Sequence, residues 1–370
     1  MGHELRAALD AVMDQRGAWP DRSPWIRHAV AAVPREQFAP GRLWRWDGHT
    51  YIPVDRTADP DAWEAEVYGS PDTAAVTQVA GGVPSSSLSC QAVVVDMLDS
   101  LLLEPGHRVL ELGAGTGWNA ALLSRRAGRG RVVSVEVDAE LATAAAERLK
   151  LSGADVAVQV GDGAAGWLPG APYDRVMATY GVDRVPWPWV EQTRLGGRLV
   201  VPWGRLGHVA LTRAADGRSA SGWVQGLATF MLARGSDLGR NFRQVRAAAP
   251  DEQERPFTRD LAPLQADWHL RFALRVALPD IRITIGEDDD GLNAWLHDGS
   301  TSWAMLAAVG GGTVAYQGGP RHLADELERA WDEWHALGEP ELYDFGLMVE
   351  PGRQYAWCRD AITGPRWPTA

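Results

Sequence analysis

Lysine is almost missing from this chain: of its 36 basic residues, all but Lys150 are arginine. The formal net charge is −12, and no stretch gathers basic side chains into a stripe. Phosphate contacts need clustered Lys and Arg, so a nucleic-acid partner is not expected. Cysteine is scarce too. Cys90 and Cys358 stand 268 positions apart, too few for a disulfide framework or a four-cysteine zinc site, and they fit a reducing cytosol. No apolar run approaches the roughly 18 residues that span a bilayer. The opening MGHELRAALDAVMDQRG lacks the apolar core of a secretory signal, so a cytoplasmic protein without a membrane partner is expected. The 9 histidines form no H-E-x-x-H and no cluster with cysteine, so no metal site is expected. His208 reads as a surface residue. The Asp288-Asp289-Asp290 run lacks the calcium-loop pattern and reads as a hairpin turn. Hydrophobic residues at 45% and charged residues at 23% exclude a disordered chain.

A length of 370 residues suits two domains. Charge divides the chain unevenly. Residues 251–370 hold 21 acidic and 10 basic residues, a net of −11, against −1 for the first 250. The hydrophobic period changes at about the same place. RVLEL (108–112), RVVSVEV (131–137), DVAVQVGD and YDRVMATY read as buried strands. WNAALLSRRA (118–127) and DAELATAAAERLKLSG (138–153) read as helices, and GGRLVVPWG as a turn and strand. Strands alternating with helices imply βαβ units and a parallel sheet. Asp216-Gly217 marks a closing antiparallel hairpin. Residues 246–267 show prolines, charges and no period, the pattern of a linker. Beyond them HLRFALRVAL, IRITIGE, LNAWLHD, TSWAMLAAV and GTVAYQ read as short strands, residues 321–338 as an amphipathic helix, and DFGLMVEPGRQYAWC as a hairpin. The expected organisation is an N-terminal helical lid over 1–80, a cofactor domain over 81–245 and a C-terminal α+β domain over 246–370. The strand tryptophans of the last domain are either core or a peptide-binding face.

The chemistry-bearing signal is Glu111-Leu112-Gly113-Ala114-Gly115-Thr116-Gly117, directly after a strand and before a helix. Glycines there allow a tight turn and a close ligand approach. Glu136 ends the next strand, where a carboxylate accepts from both ribose hydroxyls, with Val137 beside it. Nucleotide-dependent dehydrogenases share such turns, but their spacing is G-x-G-x-x-G. The spacing here, G-x-G-x-G followed by Trp118-Asn119, suits S-adenosylmethionine, which has no pyrophosphate to place on the helix. Asp162 and Gly163 follow a third strand, where the Asp can accept from an adenine amino group. Alone, Gly161-Asp162-Gly163 reads as a turn.

Together, VLELGAGTGWNAALL, VVSVEVD, VGDGAAGW, APYDRVMAT and GGRLVVPWG resemble the protein-L-isoaspartate O-methyltransferases. So does AVAAVPREQFAP (29–40), with its Val-Pro-Arg-Glu-x-Phe signature. The resemblance covers residues 25–235. It implies a Rossmann-like class I methyltransferase with a doubly wound, mostly parallel sheet, S-adenosylmethionine as donor and a peptide carboxylate as acceptor. It places the family's reacting-site serine on Ser89, without the usual proline, with Ser87 in the same Ser85–Ser89 run. It also places a pocket threonine on Thr179, followed by Tyr180 where the family has a small residue. A polar loop and a strand end are the alternative readings of these two segments. The segment 43–56 with Trp44 and Trp46 is expanded, and the chain continues well past the usual end. These features resemble a branch that accompanies ATP-grasp ligases in making macrocyclic ribosomal peptides (graspetides). That resemblance implies methylation of an Asp side chain followed by aspartimide formation. The alternatives are an isoaspartyl repair enzyme with an added domain and an idle peptide-binding protein. The intact glycine and acidic positions weigh against the last.

Overall fold

The computed structural model describes residues 2–204, 206–236, 239–249 and 252–369. It divides into two units, Met1–Arg234 with Val349–Arg353, and Gly235–Met348 with Gln354–Ala370. The first begins with α1 (Gly2–Gln15), α2 (Trp25–Ala32), β1 (Arg42–Trp46), β2 (Tyr51–Asp55), α3 (Pro60–Tyr68), β3 (Ala75–Ala80) and β4 (Val83–Leu88). Residues 1–80 thus carry strands as well as helices. The four strands form an antiparallel sheet in the order β2–β1–β3–β4. Leu43, Val54, Ala75 and Leu88 alternate onto one face and are buried.

The larger sheet follows. Its elements are α4 (Gln91–Leu101), β5 (Val109–Leu112), α5 (Trp118–Ala127), β6 (Val132–Glu136), α6 (Ala139–Leu151), β7 (Val156–Val160), β8 (Tyr173–Ala178), α7 (Trp187–Gln192), β9 (Thr193–Trp203), β10 (Gly207–Arg213) and β11 (Ala220–Leu227). Seven strands lie in the order β11–β10–β9–β8–β5–β6–β7, parallel from β9 to β7 and antiparallel from β9 to β11. Val109, Leu110, Leu112, Val176 and Ala178 at its centre are fully buried. Parallel strands covered on both faces carry apolar runs rather than alternation, which is why these segments were legible. The chain leaves β5 toward β6 on one side and returns to β8 on the other. That reversal opens a crevice at the C-terminal ends of β5 and β8, the place where ligands settle in doubly wound sheets.

The second unit comprises α8 (Phe242–Ala248), β12 (Gln253–Phe257), α9 (Ala262–Ala266), α10 (Trp268–Ala277), β13 (Arg282–Asp288), β14 (Gly291–His297), β15 (Trp303–Val309), β16 (Gly312–Gly318) and α11 (Leu323–Ala336). The last strands are β17 (Phe345–Glu350), β18 (Arg353–Cys358) and β19 (Arg366–Pro368), of which Val349–Arg353 belongs to the first unit. Five strands form an antiparallel sheet, β12–β16–β15–β14–β13. Two expectations are corrected. Most of the 246–267 linker is folded: β12 is an edge strand, where Pro256 is tolerated, and Phe257, Leu261 and Leu264 are buried anchors. Pro250 and Asp251 lie outside the described residues. HLRFALRVAL is a helix, not a strand. Its apolar residues satisfy both periods, and Asp267 decides between them by capping the amides of His269 and Leu270. The tryptophans split: Trp303, Trp331, Trp334 and Trp357 are core, and Trp295 is half-buried. Among the described residues no helix is long and apolar enough to cross a membrane.

Candidate active site

The glycine turn joins β5 to α5 through three residues of positive φ: Gly113 at 96°, Gly115 at 52° and Gly117 at 90°. Only glycine adopts all three without strain. A Cβ on Gly113 would lie 2.4 Å from Thr179 Oγ1 and 2.9 Å from the Tyr180 ring, so the turn lies against the end of β8. A Cβ on Gly163 would lie 2.4 Å from the Tyr180 hydroxyl, which brings the third motif to the same place. Glu136, nearly buried at the end of β6, accepts from the Gly115 amide at 2.9 Å and the Asp138 amide at 3.1 Å. Asp162 accepts from the Ala164 amide at 2.9 Å. Each carboxylate keeps further lone pairs for a ligand. Val137 is half-exposed beside them. The three acidic and glycine-rich segments therefore converge on one crevice.

Burial and the charges of Asp162 and Glu136 push the Tyr180 phenol above its ordinary range. It is a neutral donor, edge-on to Trp189 with ring centroids 6.1 Å apart. Thr179 is otherwise engaged. Its hydroxyl donates to the Gly113 carbonyl at 2.7 Å and so holds the turn. Asn119 and Trp118 are also framework. The Asn119 amide donates to Glu111 at 2.8 Å, and the buried Trp118 indole donates to the Val33 carbonyl at 3.0 Å. His208 is fully buried, not at the surface, and burial pushes it down to about 4, leaving it neutral.

Glu111 lies beneath the turn with no exposure and bonds Asn119 and Ser134. Burial pushes its carboxyl up to about 7; the Ser134 and Asn119 bonds oppose this, and Glu136 adds to it. An unfolded Glu loses its proton near the reference value of about 4.3. Folding thus takes up a proton between these limits. The stability involved is fully present below the lower limit and lost as pH rises through about 7. At most about 4 kcal/mol is at stake. Melting curves from pH 5 to 8 are expected to slope downward for the native chain and to flatten for Glu111→Gln. An equal slope in both would remove Glu111 as the cause.

The serine run lies beside this crevice. A Cβ on Gly115 would stand 3.8 Å from the Ser87 carbonyl, so β4 passes against the turn. Ser87 and Ser89 are half-buried. The Ser89 carbonyl accepts from Arg35 at 2.8 Å. Sequence reasoning missed Arg35, although it belongs to the Val-Pro-Arg-Glu signature. It also missed Arg234, which reaches Asp138 at 2.8 Å and Gln78 at 2.5 Å and ties the serine hairpin to the end of β6.

A family model described as protein-L-isoaspartate(D-aspartate) O-methyltransferase matches residues 13–224, more than half of the chain. The chain belongs to this family. The protein-L-isoaspartate O-methyltransferase of Methanopyrus kandleri is 35% identical over 187 residues, covering 50% of this chain and 70% of that protein. That of Thermococcus sibiricus is 42% identical over 120 residues, covering 32% of this chain and a little over half (54%) of that protein. The solved structure of a protein-L-isoaspartate O-methyltransferase superposes with a TM-score of 0.54 at 22% identity, over 97% of this chain and 100% of the other. That likeness of fold extends through the second unit. Length beyond the catalytic sheet therefore does not by itself separate this chain from isoaspartate methyltransferases.

The family is one of S-adenosylmethionine-dependent carboxyl methyltransferases, and the crevice fits that cofactor. Gly113 and Gly163 let the turn and the third motif close against Thr179 and Tyr180, where a Cβ would clash, and Glu136 and Asp162 offer acceptors at separate points beside them. Glu136 would hold the ribose, Asp162 and Val137 the adenine, and the Gly113–Gly117 turn the amino-acid portion.

Proposed function

We propose that this chain methylates the side-chain carboxylate of an Asp in a ribosomally made macrocyclic peptide of the graspetide class, and that the ester closes to an aspartimide. The observation that supports carboxyl methylation is the passage of the serine strand against Gly115, which brings Ser87 beside the glycine turn; Ser89 follows two residues on, its carbonyl held by Arg35. Support for the finer reading comes from Tyr180, bulky where the resemblance places a small residue, and from the added hairpin of β1 and β2. Recognition of the peptide by the second unit's aromatic residues belongs to the same proposal.

An Asp carboxylate, with a reference pKa of about 3.9, is already ionised at neutral pH, so no general base is needed. The bound cofactor supplies an electrophilic methyl group. The protein's task is alignment and exclusion of water. Ser87 and Ser89 donate hydrogen bonds to one carboxylate oxygen and leave the other free. A hydroxyl does this without neutralising the nucleophile, as an arginine clamp would. Once the ester exists, the next residue's amide nitrogen attacks its carbonyl carbon. A C–N bond forms, the C–O bond to the methoxy group breaks, and methanol leaves with the amide proton. A constraining macrocycle would preserve the succinimide. A second reading, repair of isoaspartyl residues, is favoured equally by the family match and by the extent of the fold likeness.

Mass spectrometry separates the two. Maturation predicts that a side-chain-cyclised peptide with one free Asp gains a methyl and then loses methanol, while its linear form is inert. Repair predicts methylation of a linear isoaspartyl peptide. Turnover of the isoaspartyl peptide alone would overturn the first reading.

A further inference from the structure

The four-stranded sheet has two unlike faces. Leu43, Val54, Ala75 and Leu88 face the core at 5% exposure or less. On the other face the register aligns one residue from each strand: Pro53 opposite Trp44, Trp44 opposite Val76, and Val76 opposite Ser87. Directly opposed residues share a face, so this row leads from the serine beside the cofactor turn outward across β3, β1 and β2. Two residues along β1, Trp46 opposes Tyr51 on the same face. Their rings lie 5.0 Å apart, and Trp46 is 51% exposed. Trp44, Val76 and Tyr51 are only half-buried. The hydrophobic core is complete on the opposite face, so packing within the sheet does not account for this second set.

We propose that this outer face holds the segment of the peptide substrate that flanks the methylated carboxylate, with Trp46 and Tyr51 gripping an apolar or aromatic side chain. The inference rests on the carboxyl-methylation reading above and adds where the rest of the peptide lies. Continuity decides the occupant: a chain that presents its carboxylate at Ser87 has one end of this row directly beside it. Strand spacing places the aromatic pair about 12 to 16 Å from Ser87, or four to five residues of extended chain. The row itself contains no charged side chain, and the Arg42 and Asp55 that flank it on this face are paired with each other at 3.6 Å, which selects an uncharged flank. Aromatic pairs with one open face are frequent anchors of such contacts.

The test uses the full chain and four synthetic peptides. Two are side-chain-cyclised with one free Asp, and two are linear with one isoaspartyl residue. Each kind is made with tryptophan four and five positions to either side of the carboxylate, and again with glycine there. For whichever kind is methylated, the native chain is expected to show about tenfold lower KM with the tryptophan flank. Trp46→Ala with Tyr51→Ala should erase that preference, while kcat and the affinity for S-adenosylhomocysteine stay within about twofold. Trp46→Gln alone, which keeps the strand, should erase most of it. An active native enzyme with equal KM for both flanks, or a double variant that keeps the preference, overturns this inference alone. A native chain that binds S-adenosylhomocysteine yet methylates none of the four overturns the carboxyl-methylation reading and this inference with it.

Discussion

Replacing Glu136 by alanine is expected to weaken S-adenosylhomocysteine binding at least a hundredfold by titration calorimetry, with the fold retained. Two consequences add. The carboxylate is nearly buried, and its two oxygens accept from the Gly115 and Asp138 amides, so it shapes the turn as well as facing the crevice. Without it, the Gly115 amide loses its partner at the point where φ is already positive. A ribose would also lose a charged acceptor. Hydrogen bonds to a charged group contribute about 1.5 to 3 kcal/mol each, and 1.4 kcal/mol is tenfold in affinity. Two such bonds therefore give about a hundredfold or more. Glu136→Gln keeps one acceptor oxygen and should fall between. Asp162→Asn, which retains an acceptor for the Ala164 amide, should cost about tenfold. Undiminished affinity in Glu136→Ala would place the cofactor elsewhere than this crevice.

How much of this was legible depended on whether the signal was local. Glu136 and Asp162 could be found because a strand end followed by a turn is written in consecutive residues, and the topology of a parallel sheet then brings such ends together. The glycine turn was legible for the same reason. Trp118 shows the limit. Its place at the start of α5 was readable, but its indole serves Val33, 85 positions earlier, and nothing near it says so. Arg234 bonds Asp138 and Gln78 at separations of 96 and 156 positions. Such pairs leave no periodic trace. In the second unit the failure was ambiguity rather than distance. Leu270, Phe272, Leu274 and Val276 alternate like a strand, whereas Leu270, Ala273, Leu274 and Ala277 repeat like a helix. An Asp cap and burial settled it. The 246–267 segment misled because its anchors, Phe257, Leu261 and Leu264, are isolated among polar residues, and three buried side chains suffice to fix a short strand and helix.

Arg35→Met is expected to lower methyl transfer about a hundredfold while leaving the melting temperature unchanged or raised. The guanidinium is buried at 2% exposure, with no carboxylate at ion-pair distance among the described residues. Burial pulls its pKa down to about 10, and Nε has no hydrogen-bond partner. What offsets this desolvation is the Ser89 carbonyl at 2.8 Å and the face of Trp118, whose centroid lies 4.7 Å away. A buried cation so poorly paired adds little net stability, and an apolar side chain of similar length is often neutral or better there. Its structural consequence is positional. Arg35 fixes the serine loop from behind, Trp118 begins the helix after the cofactor turn, and the Trp118 indole returns to Val33, two residues before Arg35. One short segment thus sets the distance between the serines and the turn. Freeing the loop by about 1 Å is enough to cost about a hundredfold in an aligned displacement. Affinity for S-adenosylhomocysteine should stay within about twofold, because no cofactor contact is removed. Arg35→Lys, which can still donate to the Ser89 carbonyl, should recover part of kcat. A purely structural role would instead lower the melting temperature and the transfer rate together, with no rescue by lysine.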